Sequence, residues 1–97
     1  MGINDVFHAL SDPTRREILR LLRSAGEMSA GEIAAHFPLA RSTLSGHFNV
    51  LKQAGLIVTE RQGTSILYSL NVSATEEALS AIMELLGVGK ASRREDS

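Results

Sequence analysis

In the segment RSTLSGHFNVLK, Leu44, His47, Phe48 and Leu51 recur at i, i+3, i+4, i+7, the stripe of an amphipathic helix. The positions off that stripe are Arg41, Ser42, Thr43, Ser45, Gly46 and Asn49. An exposed helix face ordinarily carries Glu, Lys, Gln and Ala. These residues are instead small, uncharged or singly basic, and most are poor helix formers. What they share is low bulk together with hydrogen-bonding capacity. A helix entering the major groove of DNA needs that combination, because hydroxyls and amides can reach base edges and phosphates only where larger side chains do not obstruct the approach. Arg41 can pair with a phosphate or reach a guanine with two hydrogen bonds, and the start of the helix itself favours a phosphate. Gly46 inside a helix costs about 1 kcal/mol relative to Ala, which calls for the close approach of DNA or of a neighbouring helix. Further on, Arg61, Gln62, Gly63 and Thr64 fall where two strand-like runs meet, placed to touch a flanking phosphate or the minor groove. Each residue also has a plainer reading. Ser and Thr near a helix start often cap it, and an arginine on a hairpin is usually a solvated strand charge. The weight lies in the pattern, since all of them fall on one edge of one motif.

The elements that must hold these groups are legible from the apolar period. Ile3, Val6, Phe7 and Leu10 form a short helical stripe. In SDPTRREILRLLRSAG, Asp12 can cap a second helix, Pro13 suits its first position, Ile18, Leu19, Leu21 and Leu22 make its buried face and Gly26 ends it. Arg15 and Arg16 read as a solvated face near that helix start, with backbone contact as the alternative. Ser29-x-x-Glu32 is a capping box for a short third helix reaching about Ala35, with Ile33, Ala34 and Phe37 as its apolar contacts. Pro38-Leu39-Ala40 is a tight link to the fourth helix, 42–54, which Gly55 stops. His47 lies on the apolar stripe and reads as a satisfied core or boundary histidine. The period then changes to two β-branched runs, LIVTERQ and TSILYSL, joined by a Gln62-Gly63 turn in a hairpin over 57–70. Asn71 and Ser73 open a last helix, with Ser73-x-x-Glu76 as a second capping box and Leu79, Ile82, Met83 and Leu86 as its stripe. The order α-α-α-α-β-β-α describes a mainly α (α+β) winged helix-turn-helix domain over 1–89, followed by a disordered tail, 90–97. The stripes Ile3, Val6, Phe7, Leu10 and Leu79, Ile82, Met83, Leu86 hold more apolar surface than two flanking helices of one small domain need. They are the expected interface of a homodimer.

Composition narrows the function. The chain has 97 residues, enough for one domain, with only 4% aromatic residues and hence an aliphatic core. It has no cysteine, which excludes a disulfide framework, a thiol switch and any thiolate metal site. No apolar run approaches the roughly 20 residues of a membrane span, and neither a signal-peptide pattern nor a myristoylation motif opens it. The expectation is a cytoplasmic protein without membrane insertion. The net charge of −1 does not by itself point to a polyanion. Its distribution is more informative: over 29–70 Arg41, Lys52 and Arg61 face only Glu32 and Glu60, whereas the acid is concentrated after residue 70. An enzyme finds little support. Ser45 and His47 do not face each other on a helix, no glycine-rich phosphate loop is present, and no carboxylate pair sits in an apolar setting. A winged helix used purely for protein interaction would be expected to expose aromatics or Met, which this polar face lacks.

Together, ALSDPTRREILRLL, MSAGEIAAHF, RSTLSGHFNVLKQAGLI and ERQGTSILYSL resemble the ArsR/SmtB family of bacterial winged-helix repressors, and most of all its metal-independent, SdpR-like autorepressor branch. The likeness runs in continuous order from about Val6 to Leu70. It implies a homodimer formed by the first and last helices, bound to double-stranded operator DNA with an inverted repeat. It assigns DNA contact to Arg41, Ser42, Thr43, Ser45 and Asn49, and wing contact to Arg61 and Gly63. A regulatory protein partner is compatible with it. One departure is visible: the family often carries two consecutive histidines after the serine, where this chain has Gly46 and His47, so operator preference can differ. The family's metal sensors supply the rival reading. Their third-helix cysteines would fall around Met28 to Ala30, where there are none. Their last-helix sites use Asp, His and Glu, whereas here Glu76, Glu77 and Glu84 remain without a histidine. Carboxylates alone hold zinc or nickel weakly, and His8, His36 and His47 lack ligand spacing. No metal or other cofactor is expected.

Overall fold

A computed structural model describes residues 2–89. The tail expected over 90–97 lies outside the described residues. The elements run α1 (Ile3–Leu10), α2 (Pro13–Ala25), β1 (Met28–Ser29), α3 (Ala30–Ala34), α4 (Arg41–Gln53), β2 (Ile57–Gln62), β3 (Ser65–Leu70) and α5 (Val72–Leu86). The expected order holds with one addition, β1, which makes the hairpin part of a three-stranded antiparallel sheet in the order β1-β3-β2. Met28 pairs with Tyr68 and Ser29 with Leu67. Two residues cannot show a strand period, and only the non-local partner β3 makes them one.

Local signals set most boundaries. The Asp12 carboxylate accepts from the backbone N–H groups of Thr14 at 2.8 Å and Arg15 at 3.1 Å, with Pro13 at the first helical position. Burial alone would raise the Asp12 pKa. The Arg15 backbone N–H, the nearby His47, the Thr14 N–H and the Arg15 charge outweigh it and hold the carboxyl below its usual range. Asp12→Ala is therefore expected to cost about 1 kcal/mol at neutral pH. Because the folded pKa is the depressed one, the benefit of the ionised cap is complete above about pH 4 and fades as pH falls through the folded value. Thermal melts of both proteins should differ at pH 7 and converge in strong acid.

The Ser29 box is fully formed: its hydroxyl accepts from Glu32 N–H at 3.1 Å, and the Glu32 carboxylate accepts from Ser29 N–H at 2.8 Å. The second box is not. Helix α5 starts two residues earlier, capped by the Asn71 side chain, which accepts from Ala74 N–H at 3.2 Å, while Ser73 lies inside the helix. The cause is tertiary: Asn71 N–H donates to Leu56 C=O at 2.9 Å, fixing the chain as it leaves β3. The wing turn also shifts by one. Gln62 pairs with Ser65, so the loop is Gly63-Thr64, not Gln62-Gly63. Gly63 has φ +63° and, among the described residues, only glycines have positive φ, matching the hairpin turn that wants glycine at its first loop position.

The core is aliphatic. Ile18, Leu22, Ile33, Leu44 and Leu51 are fully buried, and Val6, Ala9, Phe48, Leu56 and Ile57 close around them. Helix α4 ends on Gly55 at φ +77°, where Gly55 N–H reaches Lys52 C=O and Leu56 N–H reaches Leu51 C=O. This paired C-terminal motif drives Leu56 into the core and leaves only Ala54, Gly55 and Leu56 between α4 and β2. The wing therefore stands at a defined angle to α4, further held by the Phe48 and Tyr68 rings, whose centroids are 4.8 Å apart.

Candidate nucleic-acid interface

Helix α4 divides sharply. Leu44, Phe48 and Leu51 are buried, whereas Arg41, Ser42, Thr43, Ser45, Gly46 and Asn49 are all exposed. The capping explanation for the hydroxyls fails, because the N-cap is Ala40 and no side chain caps this helix; Ser42 and Thr43 lie within its first turn. The first intrahelical bond is Leu44 N–H to Ala40 C=O, which leaves the preceding N–H groups open to an anion. Among the described residues, no side chain of Arg41, Ser42, Thr43, Ser45 or Asn49 is hydrogen-bonded to the chain. Their capacity is unspent. Gly46 answers its own alternative: a Cβ built there meets nothing within 4 Å, so no neighbouring helix requires the glycine. Gly46→Ala is expected to stabilise the free protein by about 0.5–1 kcal/mol while weakening DNA binding if the helix backbone lies close to the groove. Thermal melts read beside gel-shift titrations separate the two effects.

The wing carries Arg61, Gln62, Gly63 and Thr64 at its exposed tip. Arg61 pairs across the hairpin with Ile66, on the face that also holds Ile57, Thr59, Tyr68 and Leu70, the face turned to the core and to α4. Glu60 alternates to the opposite face. The basic residue and the small polar helix face thus lie on one side of the sheet, with the nearest wing carboxylate on the other.

Arg15 takes the alternative reading, backbone contact, and not the first one. It is 8% exposed, not part of a solvated face. Its Nε donates to Ala9 C=O at 2.9 Å, Nη2 to His8 C=O at 2.9 Å, and Nη1 to Nδ1 of His47 at 3.1 Å. Arg16 donates to Leu10 C=O at 2.8 Å. The two arginines together satisfy the last carbonyls of α1. A signal for this existed in the sequence. Basic residues in the first turn of α2 oppose its own dipole, so their placement implied another partner, and the end of the preceding helix was the nearest one. His47 is half-buried against this guanidinium, with Asp12 Oδ2 3.9 Å from Nδ1. That distance is beyond a hydrogen bond, so the Arg15 contact is the one that orients the ring.

The surfaces expected to meet a second copy are free in part. Phe7 is 46%, Leu79 55% and Leu86 67% exposed, while Ile3, Leu10, Ile82 and Met83 are half-buried. Val6 differs: at 2% exposure it belongs to the core of its own chain and has little surface left to offer. Helix α5 buries only Ala74. Between α1, α2 and α5 runs an open apolar groove of about 320 Å³, lined by Leu10, Leu19, Leu79 and Ile82 among others. On α5, Glu76, Glu77 and Glu84 are exposed. Among the described residues no three His, Cys, Asp or Glu side chains come together as metal ligands, and no helix is long and apolar enough to cross a membrane.

A helix-turn-helix domain family matches residues 10–60, from the end of α1 into β2. The transcriptional repressor SdpR of Bacillus subtilis (strain 168) is 44% identical over 87 residues, spanning 90% of this chain and 96% of that protein. The arsenical resistance operon repressor of Staphylococcus xylosus is 39% identical over 69 residues, 71% of this chain and 65% of that one. Among solved structures, an ArsR-like transcriptional regulator from Rhodococcus sp. RHA1 superposes with a TM-score of 0.77 at 32% identity, over 97% of this chain and 86% of its own. With the buried and exposed faces of α4, the wing and these relatives in agreement, the chain belongs to the ArsR/SmtB family of winged-helix transcriptional repressors, which are DNA-binding regulators and not enzymes.

Proposed function

We propose that the chain acts in the cytoplasm as a homodimeric repressor that binds an inverted-repeat operator, with α4 in the major groove and the β2–β3 hairpin as a wing on flanking DNA. The observation that carries this reading is the state of the α4 face: exposed, small, polar and without internal hydrogen bonds, on a helix whose other side is locked in the core. Arg41, Ser42, Thr43, Ser45 and Asn49 are the contact residues, and Gly46 permits close approach. Arg61, Gln62 and Gly63 form the wing contact. Phe7, Leu10, Leu79, Ile82, Met83 and Leu86, with Ile3 at the edge, join the two copies. Two-fold symmetry then sets the spacing of the two α4 helices and hence of the half-sites. The reading includes no metal, since the exposed carboxylates of α5 are a poor ligand set without imidazole or thiolate. The promoter of the chain's own gene is the first operator to try, in line with autorepression.

Arg41→Ala tests the contact directly. If Arg41 meets a phosphate, affinity should fall by a similar factor on all sequences, and the slope of log affinity against log salt should shrink by about one unit. If it meets a guanine, discrimination at one base pair should drop by about 1–3 kcal/mol. Titrations at several salt concentrations, on operator and on mismatched DNA, tell these apart. An unchanged affinity and slope would remove Arg41 from the interface.

A further inference from the structure

Arg15 is the one buried charged side chain among the described residues, and the DNA-contact reading does not use it. Its three donors connect two elements with different tasks. Two of them hold the final carbonyls of α1, the helix offered to a second copy, and the third holds His47, on α4. A guanidinium only donates, so Nδ1 of His47 is the acceptor in this contact. His47 follows Gly46 and precedes Phe48 by one residue, so a ring fixed at this point fixes the rotation of α4 about its own axis. The planar fork of Arg15 suits the task where a lysine would not, since a single ammonium cannot span three acceptors in fixed directions. Asp12 and Arg15 are also joined through backbone, the Arg15 N–H donating to the Asp12 carboxylate at 3.1 Å, so the anchor of the clamp is itself tied down.

We propose that Arg15 is a positioning residue for DNA binding: through its hydrogen bond to His47 it locks α4 to the C-terminal end of α1, so that the dimer helix and the DNA helix are held as one rigid unit. This rests on the reading that α4 enters the groove. Arg15 is buried and His47 half-buried, so the clamp acts by preorganisation. Both α4 helices of a dimer must be correctly rotated at once. Apparent affinity scales with the fraction of molecules in the competent arrangement. If loss of the clamp leaves each copy competent about a third of the time, the dimer loses about tenfold in affinity.

The test compares His47→Leu, which removes the acceptor, with His47→Asn, whose side-chain oxygen can stand in for Nδ1. It adds Arg15→Lys and the double variant Arg15→Lys/His47→Leu. Operator affinity is measured well below each melting midpoint, so that only folded protein is compared, with Ser45→Glu as a control. The expected result is about a tenfold loss for His47→Leu, affinity within about threefold of the parent for His47→Asn, and a double variant no weaker than Arg15→Lys alone. A role confined to stability would lower the melting midpoint of His47→Leu and leave its affinity at the parental value, which overturns the proposal. Additive losses in the double variant, or no rescue by His47→Asn, would mean that His47 meets DNA independently of Arg15, and would also overturn it. The His47 variants decide the matter even if Arg15→Lys fails to fold. If Ser45→Glu binds normally, the fault lies instead in the assignment of α4 to the groove.

Discussion

Ser45→Glu is expected to reduce operator affinity by about a hundredfold or more while leaving the domain folded. Ser45 is exposed on α4, between the buried Leu44 and the open Gly46, and makes no hydrogen bond within the chain. A glutamate there costs the free protein little, since it is a good helix former at a solvated position. In the complex it would set a carboxylate against a groove lined by phosphates and base acceptors, and like-charge contact of that kind costs several kcal/mol. Unaltered circular dichroism and melting, combined with lost gel shift, is the predicted pair of results. Near-parental affinity in a well-folded variant would show that this face does not enter the groove and would favour a protein-interaction role for the fold.

The second large effect concerns the assembly. Phe7→Glu combined with Leu79→Glu is expected to yield a folded monomer that loses about a thousandfold in operator affinity. Both side chains are about half exposed in the single chain, on the two helices that leave apolar surface uncovered, so a charge at each need not disturb the core. In a dimer each would place carboxylates in an apolar contact. A monomer engages one half-site and retains little beyond the non-specific, salt-sensitive attraction. Sedimentation at micromolar concentration should show the parent as a dimer and the variant as a monomer. A parent that is itself monomeric would refute the assembly.

How much of this was legible in the sequence follows from the range of each interaction. Asp12-Pro13 and Ser29-x-x-Glu32 announce their helices because the cap and the groups it satisfies lie within three residues. The stripe Leu44, Phe48, Leu51 announces both faces of α4, since a helix puts i, i+4 and i+7 together whatever surrounds it. The misplacements have non-local causes. Ser73 has the spacing of a capping box, but the bond from Asn71 N–H to Leu56 C=O starts the helix earlier. Strand β1 exists only through its pairing with Tyr68 and Leu67, some 40 residues on. The wing turn slipped by one residue because Gln62-Gly63 and Gly63-Thr64 both offer a glycine, and only the Gln62 to Ser65 pairing selects between them. For Arg15 the backbone contact was the second reading, and it is the one that forms; its other partner, a ring 32 residues away, is a group that composition and periodicity do not reveal. The exposed polar face of α4, by contrast, was legible as a pattern and not residue by residue, because a face that needs no partner within the chain advertises itself by what it lacks.

The central claim is that two symmetry-related α4 helices occupy the major groove. Protection of guanine N7 from methylation tests it most directly, because N7 lies in the major groove. An operator selected from random-sequence DNA, saturated with the parent protein, should show N7 protection in two inverted half-sites whose centres lie about one helical turn, or a whole multiple of it, apart. The same DNA with Ser45→Glu at equal concentration should show none. Guanines that remain fully reactive across a saturated site, or a single protected patch without an inverted partner, would contradict the account.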